Sequence, residues 1–392
     1  MPTFGRTMLE HWALEPETLY LNHGTVGATP RRVLAAQQAI RDEMERQPAR
    51  FLFRELTPIL RAPAGHGPRL REAADAVAAF VGVRGSDLVF VDNATAGVNA
   101  VVQSLPLGAG DEILLTDHGY GSVATMAAFV ARPRGAHVRT VPLPDAGLGP
   151  AAFVEAFDQA LTARTRLAIV DHVVSANGLV LPVAAMVACA RRRGVPVLVD
   201  GAHAPGSIAL DVPALGADWY VANLHKWAFA PRGCGFLWAH ADRQSDLRPP
   251  VLSWGLGRGF LEEFDLIATY DPSARLAAPA GIAFLRELGL DAVLGWNHSL
   301  AMRAAKLLSA RWDVPFAADE SMVGTMVAVQ LPARAGSKPE DAMRLRDALL
   351  FEDRIEVHVQ PWRDRVWLRV SAQVYNDLAD IERLADAVAA RL

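Results

Sequence analysis

The chain holds three lysines against 36 arginines, and one of them, Lys226, sits in Asn223-Leu224-His225-Lys226-Trp227, a short polar island between apolar stretches. Lys306 lies in a helical run and Lys338 in a polar stretch, where a solvated charge is the ordinary reading. A sequence that relies on arginine for plain surface cations points to a lysine in a half-apolar setting as an amine that must be able to lose its proton. Asp200 is the second such residue. It ends Val197-Leu198-Val199 and is followed by Gly201-Ala202-His203-Ala204, so its carboxylate would project from a buried strand into a turn. Each residue also has a plain alternative: a surface charge for Lys226, a turn or helix cap for Asp200, a structural histidine for His225. Taken together they suit pyridoxal 5′-phosphate. That cofactor needs a carboxylate to keep its pyridine nitrogen protonated and an amine to form a Schiff base, with His225 as a donor to its phosphate.

The elements that must position these groups are legible as β-rich runs alternating with amphipathic helical runs, the pattern of an α/β chain with a mostly parallel, helix-covered sheet. Strands are predicted at 87–91, 112–116, 137–141, 167–171 and 195–200. Helices are predicted over 70–81 and 182–193, stopped by Gly82 and Gly194. After about residue 275 two alanine-rich helical patterns precede strands near 322–331, 354–359 and 366–370 and a closing helix from Asp377, which reads as a smaller α+β part. Arg248-Pro249-Pro250 is the best candidate for a boundary crossing. Open α/β sheets bind ligands at the C-terminal ends of their strands, where Asp200 falls. Asn93-Ala94-Thr95-Ala96-Gly97 follows one predicted strand and opens an apolar helix. Its N–H groups would face an anion, or make an ordinary N-cap.

Composition narrows the function classes. At 392 residues, 51% hydrophobic and 21% charged, the chain can bury a large core. A net charge of −4 and a pI near 6.3 give no electrostatic case for nucleic acid or an anionic membrane. Met1-Pro2-Thr3-Phe4-Gly5-Arg6 lacks the apolar core of a signal peptide, and no run approaches a membrane span, so a cytoplasmic location is expected. Two cysteines, Cys189 and Cys234, make no disulfide framework, and no cluster has metal-ligand spacing, so no metal is expected.

Asp200-Gly201-Ala202-His203, Asn223-Leu224-His225-Lys226 and Gly233-Cys234-Gly235-Phe236 together resemble the signature of class V aminotransferases, the pyridoxal-phosphate family that includes cysteine desulfurases and isopenicillin N epimerases. Leu21 to Pro30 and Leu368 to Asn376 are similar to the opening and closing segments of the isopenicillin N epimerase-like subfamily. The resemblance implies the type I fold of pyridoxal-phosphate transferases: a large domain over 21–270 with a mostly parallel seven-stranded sheet, and a small domain from 1–20 and 271–392. It implies phosphate contacts from Asn93, Ala94, Thr95, Asn223 and His225, and Tyr120 stacked over the pyridine ring. Ser175, Asn177 and His203 would lie on the cofactor's hydroxyl side. Arg369 would hold the substrate α-carboxylate, with Asn22, His23 and Arg54 near the substrate; Arg54 could equally make a surface pair. Thr269 would reach the phosphate of a neighbouring subunit's cofactor, which implies a homodimer with sites at the interface, although Ala268 stands where the family usually has glycine. The implied activity is epimerisation or racemisation at Cα of a small amino-acid substrate, with a carbon–sulfur β-lyase or an aminotransferase as alternatives. Desulfurase chemistry needs a mobile downstream thiol, and no cysteine follows Cys234. A non-catalytic ligand sensor is the alternative of another class, and the joint presence of Asp200, His225, Lys226 and Arg369 argues against it.

Overall fold

The computed structural model describes residues 3–57, 68–316 and 318–392. Its main sheet has seven strands: β1 (Leu88–Val91), β2 (Glu112–Thr116), β3 (His137–Val141), β4 (Thr165–Asp171), β5 (Val197–Asp200), β6 (Trp219–Asn223) and β7 (Gly235–Ala239). Their order is β1-β7-β6-β5-β4-β2-β3, and only β7 runs antiparallel to its neighbours. The central strands are apolar on both faces because both faces are covered. Leu114, Ala168, Val170, Val197 and Val199 belong to one core layer, and Ile113, Leu115, Leu167, Ile169 and Leu198 to the other.

Register decides what reaches the sheet's functional edge. Asp171 lies opposite Asp200, and Asp200 opposite Val221, so two strand-final aspartates stand side by side and Asn223 continues beyond them. The strands over 112–116 and 137–141 fall as expected. β5 starts at Val197 rather than 195, because Pro196 has no N–H to give to the ladder. The helix Arg69–Val81 ends on Gly82 in the left-handed region, and Val83 N–H returns to the Ala78 carbonyl at 2.9 Å.

The second sheet is antiparallel, with β8 (Met326–Gln330), β9 (His358–Trp362) and β10 (Arg365–Ser371) in the order β9-β10-β8. One face, carrying Val327, Val329, Val359, Val366, Leu368 and Val370, joins an apolar cluster with the helices Leu290–Trp312, Pro339–Phe351 and Leu378–Ala389. The other presents His358, Gln360, Trp367 and Arg369. The strand predicted near 354–359 divides in two: Ile355–Glu356 pairs in parallel with Leu19–Tyr20, and β9 follows separately. The β9–β10 hairpin turns through Arg363 and Asp364, both at positive φ, and Arg363 reaches Asp145 at 2.8 Å and Asp117 at 3.2 Å beside the main sheet. No helix among the described residues is long and apolar enough to cross a membrane.

Candidate active site

The turn after β6 carries Lys226. Leu224 and His225 donate their backbone N–H groups to the Cys234 carbonyl, at 3.0 and 3.3 Å, which folds the turn back against the start of β7. Behind it, His23 contacts the Lys226 carbonyl at 3.0 Å through Nε2 and the Tyr375 hydroxyl at 2.9 Å through Nδ1. Gly27, at φ 70°, packs so close that a Cβ there would overlap the His225 carbonyl oxygen. These contacts give the Leu21–Pro30 segment its role as a backing for the lysine turn. His23, expected near the substrate, is fully buried, and its two ring nitrogens are engaged by the Lys226 carbonyl and the Tyr375 hydroxyl.

Lys226 Nζ lies 2.9 Å from His203 Nε2, and the Trp227 indole N–H donates to His203 Nδ1 at 3.5 Å. Burial, reinforced by the positive charge of Arg369 and opposed by Asp200 and Asp171, brings the Lys226 amine down to about 8. Asp200 is buried, which raises its carboxyl; the Ala202 N–H, 2.9 Å from Oδ1, and Lys226 act in the opposite direction. Asp171 is pushed well above the usual carboxylate range, first by burial and then by the charge of Asp200. Two adjacent buried carboxylates disfavour double ionisation. Sequence reasoning ended a strand at Asp171 and gave it no role; the strand-final Val-Asp that it shares with Asp200 was the available signal.

The helix Ala94–Ser104 begins against Asn223, at the end of the strand that leads to Lys226. Asn93 Oδ1 accepts the Ala96 N–H at 2.9 Å, and Asn223 Oδ1 accepts the Ala94 N–H at 2.8 Å. An N-terminal helical turn leaves its first N–H groups without helical partners, so with those two taken the Thr95 N–H remains for an anion. Asn93 is therefore an ordinary cap in a turn that still has a donor to give. His225 donates from Nδ1 to the Cys234 carbonyl at 3.0 Å, and burial lowers its ring to about 4. A phosphate beside its free Nε2 would draw a proton onto it and make it a donor.

From β10, Arg369 enters almost fully buried. Nη1 donates to the Ser175 carbonyl, and Nη2 to Thr25 Oγ1 at 2.8 Å and Asn22 Oδ1 at 3.2 Å. Its Nε is buried with no partner, and burial lowers the guanidinium to about 10. Asn22 donates in turn to Glu356 at 2.6 Å, so it aims the guanidinium. Ser175 acts here through its carbonyl, and the Asn177 side chain closes its own turn onto the Leu179 N–H at 3.1 Å. His358, opposite Arg369 in register, bonds Gln360 at 3.0 Å, and Gln360 donates to the Ala176 carbonyl at 2.8 Å.

Three predicted residues lie outside this buried cluster. Tyr120 precedes the helix Gly121–Ala131 and is 49% exposed. Arg54 is exposed on the turn Phe51–Leu56, and Thr269 is exposed on the segment after Ala268. Ala268 itself adopts φ 88°, a conformation that favours glycine. Cys234 is wholly buried and its thiol is pushed up to about 12, first by burial, which removes it as a nucleophile.

Residues 64–384 match the sequence pattern of the family described as aminotransferase class-V. The chain is 37% identical to an isopenicillin N epimerase of Amycolatopsis lactamdurans, over 97% of this chain and 96% of the relative. It is 31% identical to a probable chloroplastic L-cysteine desulfhydrase of Arabidopsis thaliana, over 95% of this chain and 83% of the relative. The chain belongs to the class-V aminotransferase family. The fold agrees: an apo cysteine desulfurase from Thermococcus onnurineus NA1 superposes with a TM-score of 0.79 at 20% identity, covering 99% of this chain and 98% of that one. The family resemblance and the type I fold expected from the sequence are thus borne out. The donor set of this class-V chain also fits pyridoxal 5′-phosphate, with a buried amine, a buried strand-end carboxylate, a spare helix N-terminal N–H and an orphaned buried guanidinium nitrogen.

Proposed function

We propose that this chain is a pyridoxal 5′-phosphate enzyme acting at Cα of an amino-acid substrate, with epimerisation or racemisation at that carbon as its reaction. The observation that carries the reading is the Lys226 amine, buried, lowered to about 8, and set among His203, Asp200 and Arg369. When bound, the cofactor supplies an electron sink that acidifies the substrate's Cα proton. Asp200 would hold the ring nitrogen in its charged form. Thr95 and His225 would hold the phosphate, with Asn93, Ala94 and Asn223 shaping the turn that presents the Thr95 N–H, Tyr120 covering the ring, and Ser175 and His203 on its hydroxyl side. Arg369, aimed by Asn22 and Thr25, would fix the α-carboxylate, and the free Lys226 amine would take the α-proton from one face of Cα, inversion requiring a second acid to deliver a proton to the opposite face.

The L-cysteine desulfhydrase relative favours a second reading, carbon–sulfur β-elimination. Lys226 would remove the same proton, and the two readings part only when a β-substituent leaves. The deciding experiment supplies purified protein with cofactor, incubates it in deuterated water with D- and L-amino acids and with cysteine, and assays deuterium at Cα, optical inversion, pyruvate and sulfide. Exchange with inversion and no pyruvate supports the first reading, and pyruvate with sulfide the second. Failure to bind the cofactor, with Lys226→Ala as the control, would overturn both.

We further propose a homodimer. A groove of about 430 Å³ is lined by Leu52, Phe53, Trp254, Thr269 and Tyr270. Beside it Trp254 is 76% exposed, with Val251, Leu252 and Leu256 also open to solvent. A second copy of the chain would cover this apolar surface and bring Thr269 to the partner's phosphate; sedimentation as a monomer would refute it. The division into 21–270 and 1–20 plus 271–392, and a cytoplasmic location, belong to the same proposal.

A further inference from the structure

We propose that Trp227 is a positioning residue: its indole N–H holds His203 in the tautomer that carries its proton on Nε2, so that His203 donates a hydrogen bond to the Lys226 amine. The reasoning rests on which atoms are able to donate. An indole nitrogen is a donor only, so His203 Nδ1, 3.5 Å from Trp227 Nε1, must present its lone pair. His203 is 1% exposed, and its ring is held neutral first by burial and then by the charges of Lys226, Arg369, His225 and His358. A neutral imidazole with a bare Nδ1 has its proton on Nε2. That N–H points at Lys226 Nζ from 2.9 Å, and only an amine with a free lone pair accepts it. The opposite tautomer would turn a lone pair toward Lys226 and favour the ammonium.

Trp227 therefore selects the sign of the influence of His203 on the charge of Lys226. The other groups facing the amine are Arg369 from β10 and Asp200 and Asp171 from the ends of β5 and β4. The indole is held in place: it is 1% exposed, its ring lies 5.0 Å from that of His23, and Gly24 packs against its edge. The inference rests on Lys226 as the reacting amine, but its test needs no cofactor.

Trace acetylation of the cofactor-free protein across neutral and alkaline pH, read by mass spectrometry, reports how each lysine titrates. The chain has three lysines, so Lys306 and Lys338 serve as internal standards. Wild-type Lys226 should titrate near 8. Trp227→Phe should raise that value by roughly half a unit to one unit, the effect of one ordinary hydrogen bond. Nitrogen-15 NMR of the histidines, with His203→Gln to assign the signal, should show the Nε2–H tautomer in the wild type. A folded Trp227→Phe protein with unchanged Lys226 titration overturns the proposal. If that variant does not fold, the wild-type tautomer decides alone, and an Nδ1–H or doubly protonated His203 overturns it.

Discussion

Replacing Arg369 with lysine keeps the charge and removes donors, and the loss follows from a count of bonds. The guanidinium has five N–H groups, and Ser175, Thr25 and Asn22 take three, which leaves two for a carboxylate. An ammonium has three, and the same three acceptors would use them all. Arg369→Lys should therefore lose at least one charge-assisted hydrogen bond to the substrate carboxylate, about 1.5–3 kcal/mol, or roughly 10- to 150-fold in affinity. Titrating the cofactor-loaded protein with an amino acid and with the amine that lacks its carboxylate, while following cofactor absorbance, isolates this term. Wild type should prefer the amino acid, and the variant should lose at least tenfold of that preference while binding the amine as before. A variant that keeps the preference, or loses affinity for both ligands equally, refutes the assignment of Arg369.

Two further outcomes follow from the geometry. The Lys226 amine falls from 10.5 to about 8 on folding, so between those values the unfolded chain binds the extra proton, and wild-type stability should rise with pH across that window. Below it the buried ammonium is a net penalty of on the order of 3 kcal/mol, the attraction of Asp200 and Asp171 included, so cofactor-free Lys226→Met should be more stable than wild type at pH 7. Urea midpoints at pH 7 and pH 10 check this, and a less stable variant at pH 7 would contradict it. Gly27→Ala places a side chain in a conformation costing about 1–3 kcal/mol and presses it onto the His225 carbonyl. Thermal unfolding and cofactor occupancy should both fall, and an unchanged protein would show that the backing of the lysine turn is slack.

Much of the frame was legible because its signals are local. The alternation of apolar runs and glycine-stopped helices located the strands over 112–116 and 137–141 and the helix Arg69–Val81, since period and breaker both act within a few residues. Strand ends moved where a local fact outweighed the pattern, as with Pro196 at β5, or where the partner was remote, as with Leu19–Tyr20 against Ile355–Glu356. Lys226 and Asp200 stood out for the same reason: a lysine among arginines and an aspartate closing an apolar strand are unusual in their own neighbourhoods.

The sequence by itself determined the residue types of the site and the family that carries them, because those depend on short motifs read along the chain. It did not determine what each residue faces. Asp171 became a partner of Asp200 only when β4 and β5 paired in register, and His23 became a brace of the lysine turn when Tyr375 and the Lys226 carbonyl closed on both its nitrogens. The setting of Arg369 required Asn22 and Thr25, more than 340 residues away, and the Ser175 carbonyl. Burial, charge and hydrogen-bond direction arise between segments distant in sequence, so only the tertiary structure decides which nitrogen holds a proton and which guanidinium N–H is left for a ligand.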